Sequence, residues 1–205
     1  AADEEKTRKV MRTLERRFGR DDCKRLTMAL AAEDEGKAQA VYRTVVQGLR
    51  GQCRPGHLFD NLADEGVHQA FALARGVSTE VGHQLQFLRF QELDSGVLFS
   101  RIGPKNDVIV FLMPHFADRL PIENFVLYDE KRGLFGIHPA GRPWYLLRGE
   151  EADRPGALRY SEDELQYQEL FRQFCHTITV EGRENRKLQR GMLPLRFREY
   201  MVEFQ

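Results

Sequence analysis

The chain has 205 residues, of which 41% are hydrophobic and 30% charged, and its 31 Lys plus Arg equal its 31 Asp plus Glu. That length supports a buried core, and that composition excludes disordered, collagen-like and coiled-coil chains. A formal charge of zero excludes a uniformly basic nucleic-acid coat but says nothing about local patches.

In chain order, the first ninety residues carry helical periods. Val10, Leu14 and Phe18 share one face of an amphipathic helix over Glu4 to Phe18. Asp21 and Asp22 suit the cap and first turn of a second helix through Leu26, Met28 and Leu30. Val41, Val45 and Leu49 mark a third, ended by Gly51 and Pro55. Asp60 or Asn61 can cap a fourth through Val67, Phe71 and Ala74, closed by Gly76, and Ser78 opens a fifth through Val81, Leu85 and Leu88.

The pattern then changes. Phe87 to Leu93 and Val97 to Ile102 alternate around Asp94-Ser95-Gly96, as a β-hairpin does. Asn106 and Asp107 can cap a helix from Val108 to Arg119, although Pro114 lies inside it. Phe125 to Tyr128, a turn at Asp129 to Gly133, and Leu134 to Ile137 make a second hairpin, with a last strand at Trp144 to Leu147. Residues 149–160 form a Gly, Pro and acid-rich connector. Ser161 with Glu164 is a capping box for a helix carrying Leu165, Leu170, Phe171 and Phe174, and Pro194 suits the first turn of a terminal helix. The expected fold is α+β, an antiparallel sheet of about five strands flanked by an N-terminal helical bundle and C-terminal helices. Residues 1–86 form the helical region and 87–205 the α+β core with its basic helices, together expected to make one compact unit.

Charge is unevenly placed. Residues 6–25 hold nine cations against three acids, and residues 182–198 hold six cations against one acid, Glu184. Acids concentrate elsewhere, at Glu33 to Glu35, Glu150-Glu151 and Glu162 to Glu164. Guanidinium forks match phosphate oxygens, and arginine outnumbers lysine in both basic stretches. The N-terminal run also reads as an ordinary solvated helix face. In the C-terminal run Arg183, Arg186, Lys187, Arg190, Arg196 and Arg198 are candidate phosphate contacts. Asn185 and Gln189 are candidate polar readers there, interleaved with Phe197 and Tyr200.

Enzymatic signatures are sparse. No dinucleotide, phosphate-loop or nucleophile-elbow motif occurs. His115 and Arg119 stand four apart on one helix face and could hold a phosphate or carboxylate, or could simply pack and ion-pair. Asp129 and Arg132 could complete that pocket, or could only brace a turn whose positive φ falls to Gly133. Whether the chain is an enzyme stays open. Cys53 and His57 make half of a metal site with no second half, so neither metal nor cofactor is expected. Three cysteines without a close pair fit a reducing compartment. No apolar run reaches the ~20 residues of a membrane span, and no signal peptide is visible, so a cytoplasmic protein without a membrane partner is expected. The chain starts Ala-Ala-Asp rather than with Met, so a preceding segment is expected.

Several stretches together resemble a known family. They are Phe87-Leu88-Arg89-Phe90 with Glu92, Ile102-Gly103-Pro104 with Asp107-Val108, and Pro114-His115-Phe116 with Arg119. Asp129 with Arg132 follows, then Arg183 with Asn185, Gln189, Met192-Leu193-Pro194 and Arg196. The set is similar to a bacterial family of DNA metabolism or DNA repair proteins built on a domain of unknown function. Members are typically encoded beside a radical S-adenosylmethionine protein similar to spore photoproduct lyase, and related domains are fused to uracil-DNA glycosylase-type domains. Members usually begin with a strand and helix around Tyr-Asp-Gly, which this chain lacks, and usually carry an aromatic, often Trp, where Phe197 stands. The resemblance implies a DNA repair or DNA metabolism accessory protein that binds nucleic acid and partners a radical S-adenosylmethionine protein. The alternatives are a glycosylase- or nuclease-like enzyme using His115, Arg119, Asp129 and Arg132, and a non-catalytic protein-binding adaptor.

Overall fold

The computed structural model describes residues 3–149, 158–177 and 185–204. The chain divides into two compact units, one of Ala1–Gly82 with Lys105–Val108, the other of His83–Pro104 with Ile109–Gln205.

The first unit is helical: α1 (Glu4–Phe18), α2 (Arg20–Ala31), α3 (Lys37–Arg50) and most of α4 (Glu65–Phe87). Asp3 caps α1 by accepting from Lys6 N at 3.0 Å. Gly19, at φ +87°, turns the chain from α1 into α2. Gly19, not Asp21, is the N-cap of α2, and Asp22 takes the expected place in its first turn. Asp22 is fully buried there, where Oδ2 accepts from Leu58 N at 2.9 Å and Oδ1 from Arg25 Nη1 at 3.2 Å. The core joins Phe18, Leu26, Ala29, Ala40 and Leu58 to the stripe Val67, Ala70, Ala74, Val77 and Val81. That stripe runs unbroken past Gly76, so the two helices expected over this stretch are one of 23 residues. Gly76 lacks the positive φ of a helix stop, and the ~1 kcal/mol cost of a mid-helix glycine is less than the burial lost by breaking the stripe.

Glu80 on α4 is 2% exposed. Its Oε1 accepts from Lys105 N at 2.8 Å, and its Oε2 from Asn106 N at 2.8 Å and Asn106 Nδ2 at 2.7 Å. Asn106 Oδ1 in turn accepts from Glu33 N at 2.9 Å. Asn106 is therefore not the helix cap expected of it, because its side-chain amide ties residues 105–106 to Glu80 on α4 and to Glu33 just after α2.

The second unit contains a five-stranded sheet in the order β1 (Gln91–Glu92), β2 (Leu98–Ile102), β3 (Phe125–Asp129), β4 (Leu134–His138), β5 (Tyr145–Arg148). The α+β class is the expected one. Three of the four pairings are antiparallel, and β2 with β3 is parallel. The physical reason is α5 (Ile109–Arg119), a crossover helix that carries the chain back to the end of the sheet where β2 began. Pro114 lies within α5 at an exposed position. Gly136 lets α5 approach β4, since a Cβ there would strike the Met113 sulfur and crowd Ile109. The first hairpin is shorter than expected. Phe87 ends α4, and Phe90 is a core anchor whose ring meets Phe116 at 5.2 Å and Phe125 at 5.3 Å, edge to face.

Beyond the sheet lie α6 (Glu162–Thr177), α7 (Arg186–Met192), α8 (Leu195–Arg198) and a 3-10 turn at Val202–Phe204. The capping box at α6 closes by half. Ser161 Oγ accepts from Glu164 N at 3.1 Å, but the Glu164 carboxylate turns to Glu92 N and Gln168 Nε2. No described helix is long and apolar enough to cross a membrane.

Candidate nucleic-acid interface

Residues 185–198 hold five cations and no acid. Asn185 starts α7 by accepting from Leu188 N at 2.9 Å, so its carbonyl oxygen serves as a helix cap. Lys187 and Arg190 stand one turn apart, both exposed, with no hydrogen bond or ion pair among the described residues. Of Arg186 the structure describes only the backbone place, the first residue of α7, and Arg183 lies outside the described residues. Gln189 Oε1 accepts from Arg198 Nη2 at 3.3 Å, which joins α7 to α8. Arg196 lies 5.0 Å over the Phe197 ring, and Arg198 lies 4.7 Å over that of Phe204.

The corner is anchored from beneath. Leu193, Phe197 and Met201 are buried together with Phe87 packed against them, and His83 stands edge-on to Phe197 at 5.6 Å. Phe197 is therefore core and offers no face for stacking a base. Tyr200 is half-buried. Its hydroxyl donates a short hydrogen bond to Glu130 Oε1, and burial, helped by the Glu130 carboxylate, holds the phenol well above its ordinary value. Arg101 lies 5.6 Å over the Tyr200 ring and 3.7 Å from Glu130 Oε2. A Cβ at Gly103 would land on the Tyr200 hydroxyl, which explains a glycine there. Arg89 donates to Glu203 Oε1 at 3.0 Å, fastening the terminal turn. No sequence signal announced these contacts, since 70 residues separate Tyr200 from Glu130 and 114 separate Arg89 from Glu203.

The other candidate residues divide into two places. Asp129, fully buried at the end of β3, accepts from Arg132 Nη1 at 3.0 Å and from the backbone N–H groups of Lys131 (3.1 Å) and Arg132 (3.3 Å). Arg132 Nη1 also donates to Pro104 O at 3.3 Å. Burial raises the Asp129 carboxyl above its ordinary value, against the pull of Arg132. His115 and Arg119 are exposed on α5. Their neighbour Phe116 packs through Phe90 toward Phe125, the first residue of β3. Asp129 is four residues further along that strand, ~13 Å away at the strand rise. The structure joins Asp129 to Arg132, and Asp129 makes no hydrogen bond or ion pair to His115 or Arg119.

A separate cleft of about 320 Å³ in the helical unit is lined by Gln47, Cys53, Arg54, His57 and Asp60 among others. His57 Nδ1 lies 2.6 Å from Asp60 Oδ2, which could orient an imidazole beside a thiol. The thiol is not activated. Cys53 donates to Arg54 O at 3.2 Å, and burial with the nearby carboxylates of Asp22 and Asp60 raises its pKa. No group of three or more metal-ligating side chains occurs among the described residues.

Many residues carrying the resemblance are thus braces or anchors, while Lys187 and Arg190 on α7 and Arg196 on α8 are exposed. No curated protein and no solved structure matches the chain. A family model described as a domain of unknown function, DUF4130, matches residues 35–203, which takes in most of the helical unit, the whole sheet and the basic corner. The chain belongs to that family.

Proposed function

We propose that the chain is a DNA-binding accessory protein of DNA repair or DNA metabolism. It contacts phosphates through the α7–α8 corner and works beside a radical S-adenosylmethionine protein that performs the chemistry. One observation carries the DNA contact: five cations and no acid lie between residues 185 and 198, with Lys187 and Arg190 exposed one turn apart. Exposed cations such as Lys187 and Arg190, which meet no acid among the described residues, are suited to displacing counterions from a nucleic-acid backbone. The partner follows from the family resemblance. The binding is local, in keeping with a chain whose total charge is zero.

Fluorescence anisotropy with labelled duplex and single-stranded oligonucleotides across a salt series tests this reading. Binding is expected to weaken steeply with salt, and Lys187→Glu with Arg190→Glu to cost about tenfold or more and flatten the slope by roughly one unit per lost phosphate contact. Absence of binding at low salt, or a slope indifferent to both substitutions, overturns it. The enzymatic alternative gains no support from Asp129, whose carboxylate is held by Arg132 and two backbone N–H groups.

A further inference from the structure

The two edges of the sheet are finished differently. At β1 the chain returns alongside: Ser161 N donates to Glu92 O at 3.0 Å, Asp94 N to Arg159 O at 3.0 Å, and Leu93 bridges Tyr160. At β5 no described residue pairs with the outer side. Gly149 N donates to Gly133 O at 3.0 Å, so in the antiparallel alternation Leu147 and Tyr145 also bond inward to β4. The backbone N–H and C=O groups of Trp144, Leu146 and Arg148 therefore point outward. Among residues 144–148 there is no Lys, Pro or bulge, and Arg148 is the one charge on this short edge. It is apolar and open, with Tyr145 50%, Leu146 37% and Leu147 54% exposed.

We propose that β5 is an interface between two copies of this chain, paired antiparallel about a two-fold axis through Leu146. Such an axis keeps each sheet face on its own side, so only residues of the same face can stand opposite one another. Centring on Leu146 sets Leu146 opposite its copy and Trp144 opposite Arg148, and every outward group named above finds a partner, about six hydrogen bonds in all. On the other face Tyr145 stands opposite Leu147 twice, beside Phe135 and Ile137, their partners on β4. Aromatic–aliphatic cross-strand pairs of this kind stabilise a sheet. The two Arg148 side chains lie at opposite ends of the shared ribbon and Arg148 faces an indole, so no like charges meet. Shifting the centre to Leu147 would trade both Tyr145–Leu147 pairs for Tyr145 against Gly149. A zero net charge adds no long-range repulsion between copies.

Disulfide trapping reads the register directly. In the full chain carrying Cys53→Ser and Cys175→Ser, Leu146→Cys is treated with diamide, which accepts two electrons and two protons from each pair of thiols. The paired Cα atoms would stand ~5.5 Å apart, inside the range a disulfide spans, so a covalent dimer is the expected main product. Arg148→Cys is expected to give about tenfold less, because its copies lie roughly four residues apart along the ribbon. Sedimentation velocity on the unmodified chain is expected to show a concentration-dependent dimer. Leu147→Lys, at an exposed position, weakens that dimer about tenfold or more without changing the circular dichroism. Equal trapping at both positions, a monomer up to about 500 µM, or a dimer unaffected by Leu147→Lys overturns the proposal. A monomer that instead captures an extended peptide of another protein overturns it too.

Discussion

At the β3–β4 turn arginine and acid face inward, whereas at the α7–α8 corner Lys187 and Arg190 face out. Asp129 is fully buried, and its carboxylate is occupied by Arg132 and two backbone N–H groups. Lys187 and Arg190 are exposed and hold nothing among the described residues. The motifs that carry the family resemblance run through both regions, with Asp129 and Arg132 in one and Asn185, Gln189 and Arg196 in the other, while Lys187 and Arg190 fall between the motif positions. The difference teaches that burial separates a brace from a contact. A buried charge must be matched by its own chain, whereas an exposed, unmatched cation is available to something outside.

The contrast predicts unequal effects. Asp129→Ala strands Arg132 and two donors, and should lower the unfolding free energy by about 3 kcal/mol in chemical denaturation. Asp129→Asn keeps an acceptor and should cost less. The contrast fails if Asp129→Ala is as mild as a surface change.

The pH dependence sharpens the same point. Burial raises the folded carboxyl above 3.8, the ordinary aspartate value, so the folded state holds this proton more tightly than the unfolded chain. The contribution of Asp129 to stability is therefore full below 3.8 and declines as pH rises through the raised folded value. The stability of the wild type relative to Asp129→Asn should fall across that window. A rise there would mean that Arg132 outweighs burial.

Tyr200→Phe removes the hydroxyl bonded to Glu130 and should cost about 1 kcal/mol, read as a lower denaturation midpoint. Smallest of all, Lys187→Ala and Arg190→Ala should each change stability by less than about 0.5 kcal/mol. Each should still reduce the salt slope of DNA binding. If Arg190→Ala destabilised the fold as Asp129→Ala does, the corner would be another brace.

Legibility in the sequence follows the range of the interactions. The second hairpin was readable because Asp129 to Gly133 is turn chemistry confined to five residues, and Gly133 does take a positive φ of 59°. The long α4 was misread because Gly76 and Ser78 imitate a stop and a start, and only the buried stripe on either side decides against them. The parallel β2–β3 pair was hidden because strand direction depends on where α5 lays the chain down. At the candidate interface the residue types were readable but not their duties. Asn185 caps, Gln189 holds Arg198, and Phe197 is core.

The sequence by itself determined the α+β class, the helical start, the strand-rich middle and the segregation of its balanced charge into basic ends and acidic stretches. These follow from periodicity and composition, which act over a few residues. Tertiary structure alone decided which charges are occupied. Glu80, Asp129 and Glu203 find their partners through the fold, whereas Lys187 and Arg190 are left exposed. Tertiary structure also left the outer side of β5 unpaired among the described residues, and β1 paired. The physical reason is that burial and edge pairing depend on which distant segments meet, and chain connectivity sets that only once the whole sheet has formed.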